Sequence, residues 1–279
     1  MTILVLGATG KTGAHLTTAL AEAGVDHVAG ARRPDELGGP AVRFDWDDPS
    51  SWDAALRGVD ALYLVKPPVE PVEPVHALLD RAHDVRHVVL LSEMGRAAKS
   101  ADDPERAVEL LVEGGPWQST LLRPSWFVQN WGPGGGWGEE VRATGRIVLP
   151  GTAGFSLVDA RDVADVAAAA LTSGAGLGCV TVTGPESITL SDLADRITVA
   201  SGREVEHVSP TLAESRAALV AAGLPTPRIE YLMDLETDAA AGVVAPVHDD
   251  VRAVLGRLPR TVDAYVDEHA SYWAEGTTR

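Results

Sequence analysis

An α/β architecture, a doubly wound parallel sheet followed by a small and mostly helical C-terminal lobe, is written into three features of this chain. Apolar strand-like runs alternate with helical patterns through the first 122 residues. A glycine-rich heptapeptide, Gly7-Ala8-Thr9-Gly10-Lys11-Thr12-Gly13, joins the first strand pattern to the first helical one. After Arg123 the alternation stops and helical patterns dominate. Strands separated by helices at this spacing pair in parallel, and right-handed crossovers place the helices on both faces.

The run Ile3-Leu4-Val5-Leu6 is the first strand, and residues 14–23 are the first helix, stopped by Gly24. Further strands are expected at 27–31, 41–44, 61–65, 87–91 and 119–122. Helices are expected at 49–56, 72–83 and 103–113, the last ended by Gly114-Gly115-Pro116. Residues 131–137 are too rich in glycine for the interior of an element. Beyond them, 158–171 reads as a strand end leading into an alanine-rich helix, 179–183 as a strand, and 190–201 as a helix ended by Gly202. The implied plan is a sheet domain over 1–150, with 151–180 returning to the sheet, and a smaller substrate lobe over 181–279. Ligands in such folds bind at the carboxyl ends of the strands.

Composition narrows the function. The 279 residues carry a formal net charge of −17, which repels phosphate backbones and anionic lipid, so neither nucleic acid nor membrane is an expected partner. No run approaches the ~20 apolar residues of a membrane span. The chain enters its first strand at once, with no basic, apolar leader. One cysteine, Cys179, excludes an internal disulfide and, lying in a strand-like run, is expected to be a small buried hydrophobe. A cytoplasmic protein acting on a small molecule, as monomer or homodimer, is the expectation. His83 and His87 do not share a helical face, and no metal site is expected.

Strand, glycine turn and helix together form a phosphate site, because backbone turns tightly at the glycines and N–H groups at the helix start face the negative charge. Gly7, Thr9, Gly10, Lys11, Thr12 and Gly13 are therefore candidate pyrophosphate ligands. A fold that prefers NAD places an acid after the second strand for the ribose 2′-hydroxyl; here Arg32 and Arg33 stand there, and guanidinium groups suit the 2′-phosphate of NADP(H). Asp45 and Trp46 follow the third strand, where they border adenine or else begin the next helix. Val65, Lys66 and Pro67 follow the fourth strand, and Ser92 and Glu93 the fifth. Ser92 is placed to polarise a substrate or to cap its strand, Lys66 to hold ribose or a developing anion, and Glu93 to act as an acid if burial raises its pKa. Pro124 and Phe127 follow the sixth strand beside the nicotinamide position. Trp126, Asn130, Trp131 and Trp137 flank the glycine loop, as the wall of an aromatic, lid-covered pocket or as core between lobes.

With these residues in view, the chain resembles the atypical short-chain dehydrogenase/reductases of the NmrA-like family, and within it the ergot-alkaloid-biosynthesis (agroclavine-dehydrogenase-like) subgroup. The resemblance rests on the GATGKTG loop, Arg32-Arg33, Phe44-Asp45-Trp46-Asp47-Asp48-Pro49, Tyr63-Leu64-Val65, Val88-Val89-Leu90-Leu91-Ser92 and Leu122-Arg123-Pro124-Ser125-Trp126-Phe127 with Gln129-Asn130. Val158-Asp159, Asp162-Val163-Ala164 and Thr183-Gly184-Pro185-Glu186 complete it. It implies a Rossmann-type NADP(H)-binding domain with a small C-terminal substrate lobe. It also implies reduction of imines or iminium ions, quinones or carbonyls in secondary metabolism, or else NADP(H) sensing without turnover. The Tyr-x-x-x-Lys pair of typical short-chain dehydrogenases is missing: Ala101 and Glu105 occupy those positions, and no tyrosine lies between Tyr63 and Tyr231. A carbonyl reductase needs a proton donor for its alkoxide. The expected reaction is therefore hydride delivery from NADPH to an imine or iminium ion, a quinone or a conjugated carbonyl of a small aromatic metabolite.

Overall fold

The computed structural model describes residues 1–274. In chain order the elements are β1 (Ile3–Leu6), α1 (Gly13–Glu22), β2 (His27–Ala31), β3 (Ala41–Arg43), α2 (Trp52–Leu56), β4 (Ala61–Val65), α3 (Val72–Leu79), β5 (His87–Leu91), α4 (Pro104–Glu113) and β6 (Gln118–Pro124). There follow α5 (Gly138–Thr144), β7 (Arg146–Val148), α6 (Ala160–Thr172), β8 (Gly178–Val182), α7 (Leu190–Ser201), β9 (Glu206–Val208), α8 (Leu212–Ala221), α9 (Thr226–Ala240), α10 (Asp250–Leu255), α11 (Val262–Glu268) and α12 (Ala270–Ala274).

Seven strands form one sheet in the order β3-β2-β1-β4-β5-β6-β8, every neighbouring pair parallel. The reversal of winding between β1 and β4 makes it doubly wound and opens a crevice at the carboxyl ends of those strands. Alternate strand residues Leu4, Leu6, Leu62, Leu64, Val88 and Leu90 pack against Trp52, Leu56, Val75, Leu78, Val108 and Val112 of α2, α3 and α4. On the other face α6 lies against α1, β4 and β5. Strands buried on both faces need continuous apolar runs, which is why β1, β4 and β5 carry them.

The chain divides into two compact units. The first comprises 1–124, 160–182 and 253–256; the second comprises 125–159, 183–252 and the segment from 257 onward. The expected boundary at 150 is corrected: β6 runs on to Pro124 because Arg123 and Pro124 pair with Thr181 and Val182, and the second unit begins at Ser125. The helix expected over 72–83 stops at Leu79, where the amides of Arg81, Ala82 and Val85 form tight turns leading to β5. A two-stranded parallel pair, β7 with β9, was not expected and belongs to the second unit. Cys179 is exposed rather than buried, because β8 is the sheet's last strand and its thiol lies beside Glu113 at 3.9 Å. No helix among the described residues is long and apolar enough to cross a membrane.

One buried ionic cluster ties α4 to the sheet. Asp103 caps the helix by accepting the Arg106 amide at 2.8 Å, and Pro104 takes the first turn. The helix then turns Glu105, Val108, Glu109 and Val112 inward. Glu109 is fully buried and accepts from Ser92 Oγ (2.6 Å), from Arg123 Nε and Nη2 (2.7 Å each) and from Arg106 Nη1 (2.6 Å). Burial pushes its pKa up, but the hydrogen bonds from Arg123, Ser92 and Arg106 outweigh burial and hold the carboxyl below the usual range. Its stabilising contribution is therefore complete above the ordinary carboxylate value and is lost as pH falls through the lowered folded value. Glu109→Gln is expected to cost about 3 kcal/mol at pH 7. Urea unfolding checks this: the difference from the parent should close as the pH drops below about 4.

Candidate active site

The turn after β1 is built for close approach. Gly7 has a φ of +65°, and a Cβ there would lie 3.1 Å from the Val65 side chain. A Cβ on Gly13 would collide with the Gly7 carbonyl, so only glycine lets α1 begin against the turn. Tyr63, buried in β4, donates its hydroxyl to Thr12 Oγ1 at 2.9 Å. Thr12 is the N-cap residue of α1, yet its side chain makes no capping bond and the first turn contains no acid. By contrast α4, α7 and α8 are each capped by a side chain, Asp103, Thr189 and Thr211. The N-terminus of α1 thus keeps its positive end uncompensated by a capping side chain or a first-turn acid, as an anion site requires. Half-buried Lys11 adds an ammonium whose pKa burial lowers. These residues fit a dinucleotide pyrophosphate.

Arg32 and Arg33 emerge, exposed, from the end of β2. Arg33 pairs with Glu36 at 2.7 Å, whereas Arg32 makes no hydrogen bond or ion pair among the described residues. Trp46 donates its indole N–H to the Val65 carbonyl at 3.2 Å and stands edge-on to Phe44 and Trp52. Asp45 turns back to accept the Asp47 amide, while Asp48 caps the turn at Ser50. The acidic cluster is therefore divided: Asp48 serves the turn, and Asp45 sits half-buried beside Trp46.

Past β4 and β5 lies a buried charge network. Lys66 Nζ touches Glu105 Oε2 and lies 3.5 Å from Glu93 Oε1; the lysine side chain is 8% exposed, that of Glu105 7% and that of Glu93 20%. Glu93 Oε2 accepts from Arg96 Nε (3.1 Å) and Nη2 (2.7 Å), and Arg96 Nη1 reaches Asp103 at 3.4 Å. Burial raises the Glu105 pKa, and Lys66 only partly opposes it. Pro67 is buried beside Lys66, and buried Pro124 accepts the Met94 amide at 3.0 Å. Ser92 departs from expectation: it is buried and its hydroxyl donates to Glu109, so it fixes the end of β5 instead of offering a proton outward. Glu105, Arg96 and Glu109 were not singled out as site residues by the sequence, although two acids on the inward stripe of α4 are a readable signal.

The remaining candidates belong to the second unit. Trp126, Trp131 and Trp137 stack on one another with ring centroids 5.5–6.0 Å apart, and Phe155 stands edge-on to Trp126 and Trp131. Trp131 is buried and its carbonyl accepts the Trp273 indole N–H, so it is core and not pocket wall. Trp126 is buried, while Phe127, Asn130 and Trp137 are half-buried. The glycine loop is tied down by amide bonds from Gly132 to Gln129, Gly135 to Gly132, Trp137 to Asn130 and Gly138 to Gly135. Its glycines form a compact, hydrogen-bonded turn.

An uncapped helix start against a glycine turn, at the switch point of a seven-stranded parallel sheet, defines a dinucleotide-binding protein of Rossmann type. The family described as NAD(P)H-binding matches residues 7–174, and the chain belongs to it. It is 35% identical to the (4-alkanoyl-5-oxo-2,5-dihydrofuran-3-yl)methyl phosphate reductase of Streptomyces griseus, over 98% of this chain and 99% of that one. It is 30% identical to agroclavine dehydrogenase of Claviceps fusiformis, again over 98% and 99%. Its fold is shared, with a TM-score of 0.80 and 20% identity, by an NADPH-dependent quinone oxidoreductase from Escherichia coli solved with NADPH, over 95% of this chain and 99% of that one. The protein is an NAD(P)H-dependent oxidoreductase of the atypical short-chain, NmrA-like kind.

Gly13→Ala is expected to abolish NADPH binding, because the added methyl pushes α1 away from the Gly7 carbonyl. Calorimetric titration checks this, with circular dichroism to establish that the fold persists.

Proposed function

We propose that this chain is an NADPH-preferring reductase that passes hydride to an electron-poor double bond of a small metabolite: a conjugated carbonyl, a quinone, or an imine or iminium ion. The exposed guanidinium of Arg32 at the end of β2, unpartnered among the described residues, carries the coenzyme preference. It stands where an acid would favour NADH, and charge-assisted, bidentate contacts to a 2′-phosphate are among the stronger hydrogen bonds. Gly7, Thr9, Gly10, Lys11, Thr12 and Gly13 hold the pyrophosphate. Arg33 assists Arg32 once it releases Glu36, and Asp45 and Trp46 border the adenine. Val65 and Pro67 shape the floor next to Lys66. When bound, NADPH supplies the hydride.

The choice of acceptor rests on the absence of a tyrosine between Tyr63 and Tyr231. A simple ketone becomes a strongly basic alkoxide on reduction and needs a donor in place. A conjugated carbonyl or quinone spreads the charge over more atoms, and an iminium ion is neutralised by hydride outright. The named relatives, a dihydrofuran phosphate reductase, an agroclavine dehydrogenase and a quinone oxidoreductase, support a small organic acceptor. The relative named agroclavine dehydrogenase lends some support to the clavine-type subgroup. The net charge of −17 is compatible with a cationic substrate.

Stopped-flow absorbance at the nicotinamide band, with a panel of conjugated lactones, quinones and cationic dyes, tests the reading. Oxidation of NADPH by at least one class is expected; tight binding with no oxidation by any class would instead favour a redox-linked sensor. Arg32→Ala should weaken NADPH by about 2 kcal/mol, roughly 30-fold, and leave NADH nearly unchanged. Arg33→Ala should cost less, since Arg33 has Glu36 to leave. Calorimetry with both coenzymes measures the two effects.

A further inference from the structure

The two glutamates on the inward face of α4 have opposite surroundings. Glu109 is saturated by Ser92, Arg106 and Arg123. Glu105 has Lys66 as its one ion-pair partner among the described residues, and no other side chain is recorded hydrogen-bonding it. A purely structural buried ion pair has the rest of its lone pairs satisfied, because desolvated charge is costly. Lys66 is the one charge set against Glu105, so any influence of this carboxylate on chemistry passes through the lysine. Lys66 in turn follows Val65, the residue that packs on Gly7 of the glycine cradle, and so stands at the carboxyl end of β4 next to the coenzyme turn. Glu93, the most exposed member of the group, links the pair towards solvent, and Arg96 fixes Glu93 from behind.

We propose that Lys66, positioned and recharged by Glu105 and Glu93, is the acid that completes reduction of neutral acceptors. The inference rests on the reductase reading above. Hydride adds to the β-carbon of a conjugated carbonyl, forming a C–H bond, and the C=C electron pair moves onto the α-carbon and oxygen. The Lys66 N–H bond then breaks, and its proton goes to the α-carbon. The amine left behind is recharged by a proton from water, which the Glu93 carboxylate accepts and passes on. The substrate gains one hydride and one proton; the dinucleotide is oxidised by two electrons. An ammonium here does what tyrosine does in typical short-chain dehydrogenases. A cationic acceptor bypasses the step, because hydride alone completes it.

The variants are Glu105→Gln and Lys66→Arg, the second keeping the ion pair and hence the fold, while its guanidinium cannot give up a proton. The probes are an α-substituted unsaturated lactone and a cationic triphenylmethane dye. On the lactone, kcat should fall by about 100-fold or more in both variants while KM moves by less than about threefold. The loss on the dye should be at least tenfold smaller, as an order of magnitude. In heavy water the parent should place deuterium on one face of the lactone α-carbon, and Lys66→Arg on both, since solvent then protonates. NADPH affinity of Glu105→Gln, by calorimetry, should match the parent. Equal losses on both probes, unchanged lactone turnover, or single-faced deuteration by Lys66→Arg would overturn the proposal. A parent that reduces only the dye overturns it while leaving the reductase reading intact. A parent that reduces no acceptor of any class overturns both.

Discussion

The contact between the first turn of α1 and the carbonyl of Gly7 is the constraint on which the rest of the site depends. Without a side chain at Gly13 the helix begins directly against the turn that follows β1, with no side-chain cap at its start. Thr12 is then free to receive Tyr63, which ties the loop to β4, and Val65 closes on Gly7 from the same strand. The positions of Trp46, Lys66 and Glu93 follow through bonds from Val65 and Lys66 to the ends of β3 and β5. The glycine turn and the polar groups nearest to it are thereby held by one close approach of backbone to backbone.

The helix α4 shows how one amphipathic stripe serves two ends. Acids at Glu105 and Glu109 lie among Val108 and Val112, where apolar residues are the rule. Each such burial is unfavourable unless the charge is met by partners. At Glu109 two arginines and a serine meet it, locking helix to sheet. At Glu105 a single lysine does, and desolvation keeps that carboxyl closer to its neutral form.

Much of the first unit is readable in the residues themselves. The strands of the seven-stranded sheet coincide with apolar runs, the glycine loop sits between strand and helix as it should, and Arg32-Arg33 occupies the end of β2. What escaped notice depends on distant partners. The segments Arg146–Val148 and Glu206–Val208 are three residues each and become strands only by pairing with one another across the intervening chain. Arg96 and Glu105 acquire their roles from Lys66 and Glu93, and no local pattern announces the pairing. Ser92 looked like an outward hydroxyl because Glu109 lies 17 residues away. Tryptophans around a glycine loop read equally as pocket or core, and only the burial of Trp131 under Trp273 decides for that residue.

The connectivity of the second unit has a consequence for biosynthesis. Its tryptophan cluster is laid down by residue 137, but the indole that binds the Trp131 carbonyl, that of Trp273, is joined to it across 142 positions of chain. A nascent chain leaving the ribosome therefore carries a Trp131 carbonyl without its indole partner until residue 273 has been made. Long-range closure of this kind is slow, and exposed apolar surface invites association in the meantime. The helix α12 is thus a latch that reaches Trp131 long after the tryptophan cluster is in place.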